Sequence, residues 1–344
     1  MTIQLGLNTF GDVYPGPDGR MLSGARVIRN VVAEARLADG LGLDFFGVGE
    51  HHREDFAVSS PETVLAGIAT VTERIRLGSA VTVLSSDDPV RVYQRFATVD
   101  ALSSGRADVI LGRGSFTESF PLFGHPLEEY EALFEEKLQL FDVLRAEGPV
   151  EWEGRLRAPI HGLEVYPKTE SGGLRTWIAV GGSPSSVVRA AHYGLPVIFA
   201  IIGGRPAAFA PFADHYRKAL EHFGKEPRPV AFHSPGYVAE TDEQARDEFF
   251  PHQAYTHDRI GRERGWGRLG RSEFDAMCGP EGAYFVGSPE TVARKIVRSC
   301  TALGASRFDL KYAVGTLDHA RMTRSIELFG TEVRRLVDDM AADA

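Results

Sequence analysis

Cysteine is scarce in this chain, with only Cys278 and Cys300 among 344 residues. Two thiols are too few for a disulfide framework of the kind that holds small secreted domains together. They also exclude a cysteine-based zinc cluster, which needs several thiols at close spacing. This composition predicts a protein of the reducing cytoplasm.

The chain has fewer positive than negative side chains, and it lacks long apolar runs. The 38 Lys and Arg residues stand against 47 Asp and Glu, and the formal net charge of −9 excludes the broad basic surface that binds nucleic acid. The strongly apolar stretch 196–202 is far shorter than the roughly 20 residues that cross a bilayer. The opening MTIQLGLNTF lacks the basic and apolar regions of a signal peptide. We therefore expect a small-molecule partner, with no nucleic acid and no membrane.

What the chain does contain is a regular alternation of short apolar runs and longer segments of helical period. Eight apolar runs are predicted as strands, at residues 3–10, 44–48, 75–84, 107–111, 176–180, 195–202, 230–238 and 308–314. Strand–helix alternation implies parallel pairing with right-handed crossovers. Eight such units favour an α/β fold of the TIM (β/α)8 barrel type, with insertions, over an open doubly wound sheet. No G-x-G-x-x-G motif follows the first strand, which also argues against a dinucleotide-binding fold.

We expect one barrel domain over residues 1–344, interrupted in two places. Residues 147–172 break the strand–helix alternation and are predicted as a hairpin insertion. Residues 240–282 are helical in period, polar and rich in glycine and arginine, with little apolar content. This segment is predicted to be an excursion from the barrel and is a candidate active-site lid.

Ionisable side chains collect where the predicted strands end, the edge at which TIM barrels place their chemistry. Glu50, His51 and His52 directly follow the second strand. Neighbouring residues of an extended chain point to opposite sides, so the two histidines are poorly placed to share a metal ion, and no other Asp or His cluster completes a metal site. We favour one imidazole that serves as an acid or base near its working pKa. The alternative is a solvated loop without a chemical role.

A second group of strand-end residues is suited to binding an anion. Ser183 is a predicted helix N-cap, and Pro184 occupies the first helical position. The backbone N–H groups of this first turn, together with the helix dipole, favour a phosphate. Gly182 lets a ligand approach the backbone, and the Ser186 hydroxyl can donate a hydrogen bond. Arg113, at the end of the preceding predicted barrel strand, can add a bidentate guanidinium.

The same Gly-Ser-Pro tripeptide recurs at residues 287–289 and provides an internal comparison. There it again starts a predicted helix, but no arginine stands at the end of a preceding strand. A plain helix start is therefore the alternative for residues 182–184. Arg113 is the feature that favours a phosphate site.

Four motifs follow one another along the chain: GVGEHHRED, RLGSAVTVLSSDDPVR, SSGRADVILGRGSFTESFPLFG and VGGSPSSVVRAAHYGLP. Together they resemble the bacterial luciferase-like flavin-dependent monooxygenases, in particular the FMN-using branch. The resemblance implies a TIM barrel that binds reduced FMN delivered by a separate flavin reductase. It implies that the flavin reacts with O2 to give a C4a-hydroperoxide, which oxygenates a small apolar organic substrate. It also implies a homodimer.

The resemblance assigns roles to individual residues as well. It implies that His51 is the catalytic acid or base and that Glu50 and His52 orient it. The residues that it implies for the cofactor are Ala80, Val81, Arg113, Gly182, Ser183 and Ser186. The first two would form a non-prolyl cis peptide beneath the isoalloxazine ring, and the other four would hold the phosphate of FMN.

Two other functions fit the same sequence. A coenzyme F420-dependent dehydrogenase would use the same barrel to transfer a hydride, without oxygen chemistry. The net charge of −9 weighs against F420, whose tail is polyanionic. A flavin-binding protein without catalytic activity is the third interpretation, and in it His51 would be dispensable.

Overall fold

A computed structural model describes residues 2–114 and 116–342 of the chain. Its strands are β1 (Gln4–Thr9), β2 (Phe45–Val48), β3 (Arg76–Ser79), β4 (Thr82–Val83), β5 (Ala107–Gly112), β6 (Val150–Trp152), β7 (Ile160–Leu163), β8 (Arg175–Val180), β9 (Val197–Ala200), β10 (Val230–Val238), β11 (Phe285–Gly287) and β12 (Arg307–Lys311). Its α-helices are α1 (Gly24–Gly40), α2 (Pro61–Ala69), α3 (Pro89–Leu102), α4 (Ser119–Leu122), α5 (Tyr130–Arg145), α6 (Pro184–His192), α7 (Ala210–His222), α8 (Asp242–Arg264), α9 (Arg271–Cys278), α10 (Pro289–Leu303), α11 (His319–Leu328) and α12 (Arg334–Ala342). Short 3-10 segments lie at Leu84–Ser86, Leu127–Glu129 and Pro206–Phe209, and a π-helical segment lies at Phe329–Val333.

Eight of the strands in these residues close into a parallel barrel in the order β1, β2, β3, β5, β8, β9, β10 and β12. β12 pairs back with β1, so that Asn8 lies opposite both Lys311 and Gly47 in the register. β11 extends the sheet from β10. Each barrel strand corresponds to one of the eight predicted runs, and the predicted TIM barrel is confirmed.

The amino end of the barrel interior is filled with side chains. The cluster inside the barrel consists of Phe45, Ile110, Trp177, Ile198 and Ala231. The guanidinium carbon of Arg307 lies 4.1 Å from the ring centroid of Phe45 and 4.4 Å from that of Trp177. The barrel is therefore a packed core at this end, and a ligand has room only at the other.

At the carboxyl end the barrel opens. Residues two positions further along a strand face the same side, so the next interior layer includes Gly47, Gly112, Ala179 and Ala200. Ala179 and Ala200 are partly exposed although they belong to central strands. We call the space above this layer of small residues the mouth, and it is where the strand-end residues meet.

Two predicted strands are altered in the structure. The run 75–84 is divided: β3 ends at Ser79, the Ala80–Val81 peptide bond is cis as the family resemblance implies, and β4 then pairs with β5. β9 covers Val197–Ala200 and is shorter than the predicted 195–202 at both ends; it begins later because the Leu195 N–H bonds back to the Ala190 carbonyl at the end of α6 (2.9 Å).

The predicted interruptions contain regular structure. β6 and β7 form an antiparallel hairpin within residues 147–172. Residues 240–282 contain α8 and α9, and the 23-residue α8 accounts for the greater part. The Thr241 hydroxyl caps α8 by accepting from the Gln244 N–H (3.1 Å), and Gly265 ends it with a φ of 71°. No helix in the described part of the chain is long and apolar enough to span a membrane.

Candidate active site

His51 lies directly after β2 among three phenylalanine rings. Its ring centroid is 4.5 Å from those of Phe10 and Phe56 and 4.9 Å from that of Phe116. We call these three phenylalanine rings the aromatic box. Burial, assisted by nearby positive charge, lowers the pKa of His51 from 6.5 to about 3. The imidazole is therefore neutral at neutral pH and can accept a hydrogen bond, but its pKa lies well below the working range expected from the sequence, because the ring is buried.

Glu50 and His52 form a separate pair beside it. One carboxylate oxygen of buried Glu50 lies 2.8 Å from His52 Nε2, and the other accepts from the Val83 N–H at 3.0 Å. Val83 belongs to β4, directly after the cis peptide bond. The His52 ring also packs edge-on against Phe123 at 5.1 Å. Glu50 therefore fixes the β2 loop to the β3–β4 segment, and the two histidines have different surroundings.

A pocket beside this pair is lined by Glu50, His51, His52, Val83, Gly114, Phe116, Glu118 and Ser119. Several buried polar atoms at this end of the barrel have no hydrogen-bond partner within the described residues: Asn8 Oδ1, Thr82 Oγ1, Ser85 Oγ, Ser119 Oγ and His233 Nδ1. Buried polar atoms are normally paired, so these mark positions where a ligand or water can bind. Among the residues described, no group of three or more His, Cys, Asp or Glu side chains is arranged to hold a metal ion.

The start of α6 differs from an ordinary helix start. Ser183 is the N-cap residue and Pro184 begins the helix, but the Ser183 side chain makes no capping hydrogen bond to any described residue. Its hydroxyl instead lies 2.7 Å from Ser185 Oγ. At the matching start of α10, Ser288 Oγ does accept from the Thr291 N–H (3.4 Å). Pro184 has no N–H and the Ser186 N–H donates to the Ser183 carbonyl (3.1 Å), so within the described residues the Ser185 N–H is the first-turn donor left available for an anion.

The backbone before this turn is also unusual. Gly182 has a φ of 98°, a conformation that side-chain-bearing residues rarely adopt, and it lies beside the rings of Phe209 and Phe212. Ser186, the last predicted phosphate ligand, lies in the first turn and is buried. The turn that begins α6 thus contains Gly182, a partly exposed Ser183 and a buried Ser186.

Arg113 follows β5 and is engaged by an acidic partner. Its guanidinium pairs with Glu131 and lies 5.5 Å from the ring centroid of Tyr130. Glu131 is also 3.4 Å from Arg189, a residue of α6. Arg113 is therefore linked to α6 through a shared carboxylate, while no hydrogen bond joins it to Ser183 within residues 2–114 and 116–342.

Sequence reasoning missed one side of the mouth. His233 follows the interior residue Ala231 by two positions on β10, and burial together with the charge of Lys311 lowers the pKa of His233 to about 4. Lys311, at the end of β12, donates to both carboxylate oxygens of buried Asp12 (3.0 and 3.1 Å). Strand alternation from Ala231 could have placed His233 at the mouth. No sequence signal pairs Lys311 with Asp12, because almost the whole chain separates them.

The end of α8 is attached to the loop after β2. Arg53 donates from Nη1 to Glu118 (2.5 Å) and from Nη2 to Glu263 of α8 (2.5 Å). Arg259, one turn earlier on α8, donates to Glu54 (2.6 Å). We call the Arg53–Glu263 and Arg259–Glu54 pairs the α8 contact. It places α8 beside the pocket that His51 lines.

Fold and site together define an α/β-barrel protein whose mouth combines an uncapped helix start with a buried neutral imidazole. The family profile of the luciferase-like monooxygenases matches residues 9–307. The chain therefore belongs to the luciferase-like monooxygenase family, as its motifs predict. It is 28% identical to the alkanal monooxygenase alpha chain of Photorhabdus luminescens over 181 residues, which are 52% of this chain and 50% of that protein. The chain thus spans about half the length of this curated relative.

Solved structures share the whole fold. Monooxygenase RslO1 from Streptomyces bottropensis superposes with a TM-score of 0.83 at 24% identity, over 99% of this chain and 100% of that one. The oxygenating constituent of 3,6-diketocamphane monooxygenase from Pseudomonas putida, solved with FMN, gives a TM-score of 0.78 at 20% identity, over 97% and 99%. An F420-dependent secondary alcohol dehydrogenase gives 0.75 at 16% identity, over 98% and 99%. This fold therefore serves enzymes that use either cofactor.

Proposed function

We propose that this protein is a monooxygenase that uses reduced FMN and O2 to oxygenate a small, largely apolar organic substrate. The observation that carries the proposal is the start of α6 at the rim of the mouth, where the Ser183 side chain does not cap the helix and the Ser185 N–H has no hydrogen bond to a described residue. This N–H, together with the positive end of the α6 dipole, suits the phosphate of FMN. Family membership and the FMN-bound structural neighbour support a flavin as the ligand.

The residues present fit FMN along one side of the mouth. The phosphate would bind at Gly182, Ser183 and Ser186. Arg113 would contact the phosphate after its ion pair with Glu131 breaks. α6 follows β8, Arg113 follows β5 and the Ala80–Val81 peptide follows β3, and these strands are neighbours in the barrel. The layer of small residues leaves room beside them for the isoalloxazine ring. Ala80 and Val81 would lie beneath that ring.

His51 is the proposed acid or base of the reaction. When bound, reduced FMN supplies the electrons that activate oxygen. His51 is neutral at neutral pH, so one ring nitrogen can donate and the other accept a hydrogen bond. Its pKa of about 3 makes it a weak base in this state, so the proposed proton uptake requires negative charge on the bound reacting groups to raise that pKa. Glu50 and His52 support it by holding the β2 loop against β4.

Oxygen activation needs a site from which water is excluded. The α8 contact supports a role for residues 240–282 as a lid, because Glu263 and Arg259 attach α8 to the loop that carries His51. The aromatic box adds an apolar wall. In this proposal, α8 closes the mouth during the reaction.

The proposal includes a flavin reductase that supplies reduced FMN, a homodimer and a location in the cytoplasm.

The helices α2 and α3 are the surface on which we expect two copies to meet. Val71 after α2 and Leu102 at the end of α3 leave 43% and 47% of their surface exposed, which supports this choice. Analytical ultracentrifugation measures the oligomeric state, and a purely monomeric protein would contradict this part.

The cofactor is tested by titrating the protein with FMN and with riboflavin, which lacks the phosphate. We expect FMN to bind more tightly, and Arg113→Met to weaken FMN binding without changing riboflavin binding. Arg294→Met, which removes an exposed arginine of α10, is the matched control. Tighter binding of F420 than of reduced FMN would replace the proposal with an F420-dependent dehydrogenase.

Oxygen chemistry is tested by mixing protein-bound reduced FMN with O2 in a stopped-flow instrument. We expect the bound flavin to reoxidise more slowly than free flavin, because the mouth shields it. Reoxidation at the rate of free flavin would rule out the monooxygenase. If His51→Ala leaves the turnover of an identified substrate unchanged, His51 is not the acid or base.

A further inference from the structure

His233 lies across the mouth from the side proposed for the flavin. β10 is the seventh strand around the barrel and β3 the third, so His233 and the Ala80–Val81 peptide are on opposite sides. Because Ala231 faces the interior, His233 also faces inward, one layer nearer the mouth. The side chain is partly exposed there. His233 therefore borders the space that remains for a substrate.

The hydrogen bonding of His233 is incomplete. Nδ1 is buried and has no partner in the described ranges 2–114 and 116–342. A histidine that served only to pack the core would normally have its buried ring nitrogen paired. Burial and the nearby Lys311 ammonium keep the ring neutral at neutral pH, so one nitrogen donates and the other accepts. Such a ring suits a carbonyl or hydroxyl oxygen.

Two cations at the mouth, Lys311 and Arg53, already have acidic partners. The Lys311 ammonium binds both oxygens of Asp12. Arg53 is paired with Glu118 and Glu263. A substrate that carried a carboxylate would have to break one of these pairs or remain unpaired, and an unpaired buried charge is costly. The mouth therefore favours an uncharged molecule.

Another wall of this space is apolar. The aromatic box offers ring faces and edges around His51. Phe10 of that box also lies 5.1 Å from Lys311 Nζ, so the box and the polar side of the mouth are adjacent. A ligand of ring size can thus place its apolar body against the phenylalanines and a polar atom toward His233.

We infer that the substrate is an uncharged compound with an apolar, ring-sized body and a carbonyl or hydroxyl oxygen, and that His233 binds this oxygen. The inference rests on the proposed function, because it takes the β3 side of the mouth for the flavin. It makes His233 a specificity-determining residue.

The test uses the full chain saturated with oxidised FMN and measures the binding of three naphthalenes by calorimetry. We expect 2-acetylnaphthalene to bind at least about tenfold more tightly than 2-naphthoate, which is charged. We expect it to bind roughly fivefold more tightly than 2-ethylnaphthalene, which lacks the oxygen. His233→Leu should remove the advantage over the hydrocarbon, and His233→Gln should retain it. His222→Leu, on the exposed surface of α7, is the control.

Each other result overturns the inference. Equal binding of 2-naphthoate would mean that the mouth accepts a charge. If His233→Leu prefers 2-acetylnaphthalene over 2-ethylnaphthalene as strongly as His222→Leu does, another residue binds the oxygen. Saturable FMN binding without binding of any naphthalene would reject the substrate class alone. A failure of FMN itself to bind is seen in the first titration and refutes the proposed function instead.

Discussion

Arg53 and Glu263 join the loop after β2 to the last turn of α8 through a 2.5 Å contact between Nη2 and Oε1. The same guanidinium lies 4.6 Å from the ring centroid of Phe116, whose ring contacts His51. One arginine therefore touches both the helix that we propose as a lid and the wall of the aromatic box. A movement of α8 would change the surroundings of His51.

Glu263→Gln should loosen α8 without destabilising the protein. Half of the Glu263 side chain is exposed, so the pair contributes only about 0–1 kcal/mol to the free energy of unfolding. We expect faster reoxidation of bound reduced FMN by O2, measured by stopped flow, with an unchanged melting temperature. Glu290→Gln, which removes an exposed pair on α10, should change neither quantity. If Glu263→Gln reoxidises flavin at the wild-type rate, the α8 contact does not shield the mouth.

The depressed pKa of His51 should make the protein sensitive to acid. Its pKa is about 3 when folded against 6.5 for the ordinary group, so the unfolded chain takes up this proton first as the pH falls. Stability is therefore lost as the pH drops below about 6.5 and continues to fall toward the folded pKa. His51→Phe should lose less free energy of unfolding than the wild type between about pH 7.5 and pH 5, measured by urea denaturation. His222→Phe on the surface should behave as the wild type, and an equal loss in His51→Phe would contradict the assignment.

The barrel could be predicted from the sequence because its strands are short apolar runs separated by periodic helices, and local pattern determines both. The positions of Glu50 and His51 followed from the rule that barrel chemistry lies at strand ends. Local pattern also identified Ser183 as a helix cap residue, but it could not show that the hydroxyl turns to Ser185 instead of capping.

Contacts between distant segments could not be predicted in this way. Asp12 and Lys311 meet only because β1 and β12 close the barrel, and Arg53 meets Glu263 only because α8 returns over the mouth. The pairing of Arg113 with Glu131 depends on side-chain geometry. Charge composition alone offers many partners for each arginine, so a single sequence does not select one.

Glu50→Ala should destabilise the protein more than Glu50→Gln. The alanine variant leaves the buried Val83 N–H without its acceptor and removes the partner of His52, at a cost of about 1–3 kcal/mol in the free energy of unfolding. Glutamine keeps one oxygen that can accept from Val83. Urea denaturation of both variants at neutral pH measures the difference. Equal destabilisation would mean that the carboxylate charge, and not the hydrogen bond to β4, is what the fold requires.

The two Gly-Ser-Pro helix starts allow stability and binding to be separated. Ser288 caps α10, so Ser288→Ala should lower the free energy of unfolding by about 0.5–1 kcal/mol without affecting FMN binding. Ser183 makes no such bond within the described residues, so Ser183→Ala should leave stability nearly unchanged. If the first turn of α6 holds the FMN phosphate, Ser183→Ala should weaken FMN binding severalfold, by roughly one hydrogen bond, and leave riboflavin binding unaltered. Denaturation curves and parallel titrations of both variants measure this. Equal losses of stability, with FMN binding intact in both, would make Gly182–Pro184 an ordinary helix start and move the phosphate site elsewhere.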